Sequence, residues 1–308
     1  MENLILFIVR LIPRHIGISF FRTLGIILYY LMPNRRRIAL TNLEICLGNE
    51  TSENERKLIA KESFKNSITI AFDFLKILQM PPDKQSKLVE ISGEENMIEA
   101  LKMRKGVFAV SAHLGNFPLM LSLMSSRGYR VNVVTRQIKA KWADRLYTGM
   151  LNRFGTGTIT KERVAHGIIK ALKQGEIVGY VLDQNMQKET GIFVDFFGRK
   201  ASTIRGLATF SNRYGSPILP AFIVSSPKGH KIYIDKPYLY DASQEDELQL
   251  TQRFTGMIEG WIRKYPEQWL WYHRRFKTRP AGEDRIYPRK LSLTKRYRRW
   301  KRQRLIND

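Results

Sequence analysis

His113 stands at the end of an apolar run, Gly106-Val107-Phe108-Ala109-Val110, in the segment Ser111-Ala112-His113-Leu114-Gly115-Asn116-Phe117. Imidazole titrates near neutrality, so a histidine projected from a strand end into a cleft is the first candidate for moving a proton. A glycine two residues later permits a tight turn, and Asn116 is a favoured residue for capping a helix. The backbone N–H groups around Gly115 and Asn116, at such a helix start, are candidates to stabilise an oxyanion. A second cluster, Leu182-Asp183-Gln184-Asn185, also follows an apolar run. Open α/β sheets hold ligands at the carboxyl ends of their strands, so Asp183 and His113 can face one cleft. The plain alternatives are a satisfied core histidine and a turn-capping aspartate. A third cluster runs from Gly191 to Thr203. Phe193, Phe196 and Phe197 there suit an acyl chain, and Arg199, Lys200 and Arg205 suit a phosphate at a helix N-terminus; a hairpin followed by a capped helix is the structural alternative.

The elements that would position these residues alternate. Strands are predicted at Val107–Ser111, Val131–Thr135, Glu176–Leu182, Ile218–Val224 and Lys231–Ile234. Helices are predicted at Phe117–Ser126, Trp142–Phe154, Val164–Lys173, Thr203–Tyr214 and Glu247–Lys264. This alternation predicts an α/β fold with a mostly parallel central sheet flanked by helices on both faces. Apolar spacing of three and four predicts helix from Arg36 to Leu78, ended by Met80-Pro81-Pro82.

Ahead of this lies an apolar N-terminus interrupted by Arg10, Pro13, Arg14, His15 and Arg22. A spanning helix needs about 20 mostly apolar residues, so a membrane-associated hairpin or interfacial helix is expected. Its arginines, with Arg35-Arg36-Arg37, would reach for phosphates. The expected organisation is an N-terminal membrane anchor over residues 1–34, a catalytic α/β domain over 35–280 and a basic C-terminal tail over 281–308. The formal charge of +24 attracts polyanions: nucleic acid, an anionic membrane surface or an acidic carrier protein. The tail segment Lys295–Arg302 interleaves cations with aromatics, which suits a lipid headgroup layer; no RNA-recognition motif or zinc-finger spacing accompanies it, so no nucleic-acid partner is expected. A single cysteine, Cys46, excludes an internal disulfide framework. Gly155-Thr156-Gly157 is too short for a nucleotide loop, and His166, His230 and His273 lack ligand spacing, so no metal or cofactor is expected.

In order, His113-Leu114-Gly115-Asn116-Phe117, Asp183-Gln184, Phe196-Phe197-Gly198 through Ala201-Ser202-Thr203, Pro217 to Pro220, and Gln268-Trp269-Leu270-Trp271-Tyr272-His273-Arg274-Arg275-Phe276-Lys277-Thr278-Arg279-Pro280 resemble the late acyltransferases of lipid A biosynthesis. The closing block is the most specific part. The resemblance implies an enzyme at the cytoplasmic face of a bacterial inner membrane. It would move a fatty acyl chain from acyl carrier protein to a hydroxyl of an acylated, phosphorylated glucosamine disaccharide, without a cofactor. By motif match His113 is the family's histidine, Asp183 the aspartate of its second group, and Arg153 or its neighbour the arginine before it. Gln184 falls among the substrate-binding positions, and Arg274 and Arg275 belong to a basic face that could gather carrier, membrane and phosphate. No Ser–His or Cys–His pairing is visible, so direct transfer is expected, with His113 as general base and no covalent intermediate.

One position departs from the family: Pro118 stands where it usually carries Glu or Asp. A general-base histidine gains from a carboxylate that fixes its tautomer. Either another acid serves, Asp183 first among them, or the imidazole works unaided, or the chain is a catalytically impaired lipid-binding homologue. A different acceptor, such as a lysophospholipid or a mannosylated lipid, is the alternative within the enzyme class.

Overall fold

The computed structural model describes residues 2–135, 141–160, 164–226 and 228–288. The basic segment Lys295–Arg302 lies outside them. Five helices come first: α1 (Glu2–Leu11), α2 (Arg14–Leu31), α3 (Pro33–Leu47), α4 (Glu53–Leu78) and α5 (Pro82–Leu88). The helix expected from Arg36 to Leu78 is thus two, because Ser52 opens α4 afresh with a reciprocal capping box to Glu55. Then follow β1 (Val89–Ser92), α6 (Glu94–Lys102), β2 (Val107–Ser111), α7 (Phe117–Ser126), β3 (Val131–Thr135), α8 (Lys141–Arg153), β4 (Gly157–Thr160) and α9 (Val164–Lys173). The chain continues through β5 (Ile177–Val181), β6 (Gly191–Phe196), β7 (Arg199–Ile204), α10 (Leu207–Tyr214), β8 (Ile218–Ser226), β9 (Gly229–Ile234) and α11 (Glu247–Lys264).

The described residues form a seven-stranded sheet in the order β1-β9-β8-β2-β5-β3-β4, parallel except where β8 meets β9. Strand alternation splits its side chains between two cores. Phe108, Val110, Val178, Tyr180 and Phe222 face one, with α3, α9, α10 and α11. Val107, Ala109, Ile177, Leu219 and Ile223 face the other, with α6 and α7. Helices therefore cover both faces. The pair β6–β7 stands apart as an antiparallel hairpin. It takes in Ser202, Thr203 and Ile204, which corrects the helix expected from Thr203: those residues pair with Phe193, Ile192 and Gly191. The helix starts only after Gly206, whose φ of +101° makes the turn that a side chain would resist.

No single helix among the described residues is long and apolar enough to cross a membrane; α1 and α2 reach that length and composition only together, and they are bent by 110°. The helix α2 packs along α4. Its two arginines are paired with α4, correcting the expectation that they stand free for lipid phosphates. Arg14 holds Asp73 of α4 through Nε and Nη2 at 2.7 and 2.8 Å, and Arg22 reaches Glu62 and Asn66. Leu4, Phe7, Leu11, Ile16, Phe20 and Leu31 remain exposed on the outer side of the pair.

Candidate active site

The site lies where β2 and β5 end. These strands are adjacent and parallel, with Ser111 opposite Val181, so the segments after them leave the sheet side by side. His113 and Asp183 meet there: imidazole Nδ1 lies 2.7 Å from Asp183 Oδ1, and the His113 backbone N–H donates to Oδ2 at 2.8 Å. Oδ2 also accepts the Trp269 indole N–H at 2.7 Å. Burial alone would raise the carboxyl's pKa, but the charge and hydrogen bond of the His113 ring, with the indole and backbone donors, outweigh it and hold it at about 2. A carboxylate fixed in this way keeps the proton on Nδ1 and presents the Nε2 lone pair outward. That nitrogen sits 2.9 Å from the Gln184 side-chain amide. The imidazole side chain is 21% exposed, enough for a substrate atom to reach it. Phe117 packs edge-on against the ring at 4.8 Å between centroids.

The turn that carries His113 is tightly built. Gly115 has φ +54°, and a Cβ there would stand 2.2 Å from the Ile223 carbonyl oxygen, so only glycine fits. Its N–H donates to the Gln268 carbonyl at 3.1 Å, which leaves the Gly115 amide bonded rather than free for an oxyanion. Asn116 is buried and caps α7, its side chain accepting the Leu119 N–H. Pro118 is buried in the first turn of α7, where a missing N–H costs little. The carboxylate at the imidazole thus comes from the end of β5.

Beside this turn lies a cavity of about 790 Å³, walled by Gly115, Asn116, Ser225, Gln268 and α2. The fold assembles a Ser–His–Asp string there that the linear motifs did not reveal. Ser225 Oγ lies 2.9 Å from His230 Nδ1, and His230 Nε2 lies 2.6 Å from Asp73 Oδ2. Burial opposes ionisation of Asp73, but bonds from His230 and Arg14 hold its pKa below the ordinary value. With His230 buried and Asp73 clamped by Arg14, this string ties α2 and α4 to the sheet. Both arginines of α2 are matched by carboxylates, so neither is a bare anion trap.

The family model for bacterial lipid A biosynthesis acyltransferases matches residues 1–278. The chain belongs to this family. It is therefore an acyltransferase, and its curated relatives agree along most of their length. It is 28% identical to a lipid A biosynthesis palmitoleoyltransferase of Escherichia coli (strain K12), covering 83% of each chain. A lipid A biosynthesis lauroyltransferase of the same organism is 27% identical over 86% of each. A myristoyltransferase from it is 26% identical, over 83% of this chain and 79% of the relative.

Several expected site residues of this acyltransferase lie elsewhere. Arg153, at the end of α8, is exposed and donates to Asn3 of α1 at 2.8 Å. Phe196 is fully buried and packs on Trp269 and Phe276, so it lines no acyl groove. Phe197 is buried under the Arg263 guanidinium. Arg199 and Lys200 sit at the hairpin turn, bordering a separate surface cavity with Arg279 and Glu283. Arg205 is paired with Glu247, and with the hairpin extended through Ile204 it does not cap a helix beside His113. Arg274 lies over the Tyr287 ring.

Arg275 departs furthest from the expectation of a basic surface. It is fully buried, and burial lowers its pKa to about 10. Its Nη1 donates to the carbonyls of Gln184 and Ser202, at 3.2 and 2.7 Å, and Nη2 bonds to Thr203 Oγ1 at 2.5 Å. It stitches the Asp183–Gln184 segment to the hairpin instead of meeting substrate. Trp269 and His273 stand in the closing block that carries the family resemblance, but the sequence assigned neither a role in the site. A buried indole N–H needs an acceptor, and that requirement was the available signal for Trp269.

His273 Nε2 accepts the Asn185 backbone N–H at 3.1 Å, and burial lowers its pKa from 6.5 to about 4. The folded state thus needs the neutral ring, while the unfolded chain takes up a proton below 6.5. Stability present above pH 6.5 is expected to be lost progressively as pH falls through about 4, by on the order of 3 kcal/mol. Melting temperatures across this range should fall more steeply for the natural protein than for His273→Gln, which keeps an acceptor but does not titrate.

Proposed function

We propose that this protein transfers a fatty acyl chain from acyl carrier protein to a hydroxyl of a lipid A precursor, at the cytoplasmic face of a bacterial inner membrane. The observation that carries the reading is the His113–Asp183 pair at the carboxyl end of the sheet, its carboxylate buried and its imidazole 21% exposed, in a member of this family. The acceptor hydroxyl gives its proton to His113 Nε2 as its oxygen attacks the thioester carbonyl, and Asp183 stabilises the imidazolium that forms. The N-terminus of α7, with the Asn116 N–H, is where we place the developing oxyanion. Collapse of the tetrahedral intermediate expels the carrier thiolate, which takes up the proton.

Direct transfer is favoured because, among the described residues, the ring nitrogens of His113 bond to Asp183 and Gln184 and to no hydroxyl or thiol. The one cysteine, Cys46, is buried and its pKa is raised by burial. The exposed apolar face of α1 and α2 supports seating in the membrane interface, close to a lipid acceptor. The excess of cations supports an acidic carrier as the donor.

The test is incubation of the purified protein with labelled acyl carrier protein and an acylated, phosphorylated glucosamine disaccharide. Label is expected in the glycolipid. Binding without incorporation would make this a lipid-binding homologue, and incorporation into a lysophospholipid alone would replace the acceptor.

A further inference from the structure

The amide of Gln184 occupies the one position from which a base could act. Asp183 holds the proton on Nδ1, so the Nε2 lone pair can only accept, and the group 2.9 Å away must donate. We propose that Gln184 is a displaceable plug: its amide N–H covers the base until the acceptor lipid arrives, and so protects the acyl thioester from water. The inference rests on His113 being the base. It assigns to Gln184 control over which nucleophile the base may serve.

The surroundings specify how the plug can move. The Gln184 carbonyl is held by buried Arg275, the Asn185 N–H by His273, and the Asn185 side chain by Thr278. The backbone is therefore pinned on both sides, and the amide leaves by side-chain rotation rather than by opening of a loop. A nitrogen lone pair accepts one hydrogen bond in line, so hydroxyl and amide exclude one another. Water must also displace the amide, and a tethered group at high effective concentration competes well against a free molecule. A lipid anchored through the rest of its body has the same advantage as the tethered amide and can win the exchange. The thioester is then activated only in the presence of its acceptor.

The experiment uses Gln184→Met, which keeps volume without a donor, and Gln184→Ala. Release of free fatty acid from lauroyl-acyl carrier protein without acceptor, and transfer to the phosphorylated glycolipid, are measured side by side with melting temperatures. In both variants acceptor-independent hydrolysis is expected to rise about tenfold, and its ratio to transfer to rise at least as much, a shift of roughly 1.4 kcal/mol in favour of water. Gln184→Glu, which sets a carboxylate acceptor against Nε2, should depress transfer. Unchanged hydrolysis in a folded Gln184→Met variant would overturn the plug alone, as would parallel loss of hydrolysis and transfer. Retained transfer in His113→Ala would overturn the base assignment and the plug with it.

Discussion

Replacing His113 with alanine is expected to lower acyl transfer by about 10³-fold or more while the protein stays folded. A positioned general base contributes roughly 10²- to 10⁴-fold, and among the described residues no other titratable side chain is bonded to Gln184 or Asp183 in a way that could take over the role. The fold should survive because Asp183, the buried charge at risk, keeps two donors that do not depend on the imidazole: the Trp269 indole and the residue-113 backbone N–H. Loss of one hydrogen bond to a charged group costs about 1.5–3 kcal/mol, which lowers the melting temperature by several degrees and no more. Transfer rates in purified membranes, read beside the melting curve, separate the two effects. Undiminished turnover in a folded variant would refute the assignment of His113.

The strands that carry the pair were legible because each is a short apolar run ended by polar residues. Val107–Ser111 is a strand over the predicted range, and Ile177–Val181 falls within the run predicted from Glu176 to Leu182. Once two such strands are adjacent and parallel, the residues just past their ends share a cleft, and His113 and Asp183 do so. The Asn116 cap was likewise readable, since its side chain competes locally for the free N–H groups of a helix start. What was not legible depends on distant partners. Trp269 is 86 residues from the carboxylate it serves, and no local pattern encodes that distance. Arg275 read as surface charge because arginine is usually exposed, whereas here backbone carbonyls of two remote segments line up to receive it. Ser202 and Thr203 read as a helix start because both are good caps, but cross-strand pairing claims them for the hairpin. The inward turn of Arg14 is tertiary too, set by Asp73 on α4.

Asp183→Asn should cost nearly as much activity as losing the imidazole, and for a different reason. The two carboxylate oxygens do separate work: Oδ2 receives two N–H donors, from Trp269 and from the His113 backbone, and Oδ1 receives the ring Nδ1–H. An asparagine has one oxygen to offer. The buried pair of donors will claim it, since leaving both unpaired costs more than leaving one ring contact altered. The amide NH₂ then faces Nδ1, which must accept, and the ring proton moves to Nε2, where the lone pair is needed. Wrong-tautomer loss of this kind amounts to about 10⁴ in the serine-protease triad, and a fall of about 10³- to 10⁴-fold is expected here. Stability gives an independent check with a definite sign. The native carboxyl is held at about 2 against an ordinary 3.8, so its contribution is fully present above pH 4 and disappears as pH falls toward 2. The natural protein should therefore melt higher than Asp183→Asn at neutral pH, with the difference closing through that acid window. An unchanged rate and an unchanged pH profile in the variant would leave His113 to act without this partner. A rate loss with only a modest melting shift would show that the carboxylate's main task is to keep the proton on Nδ1.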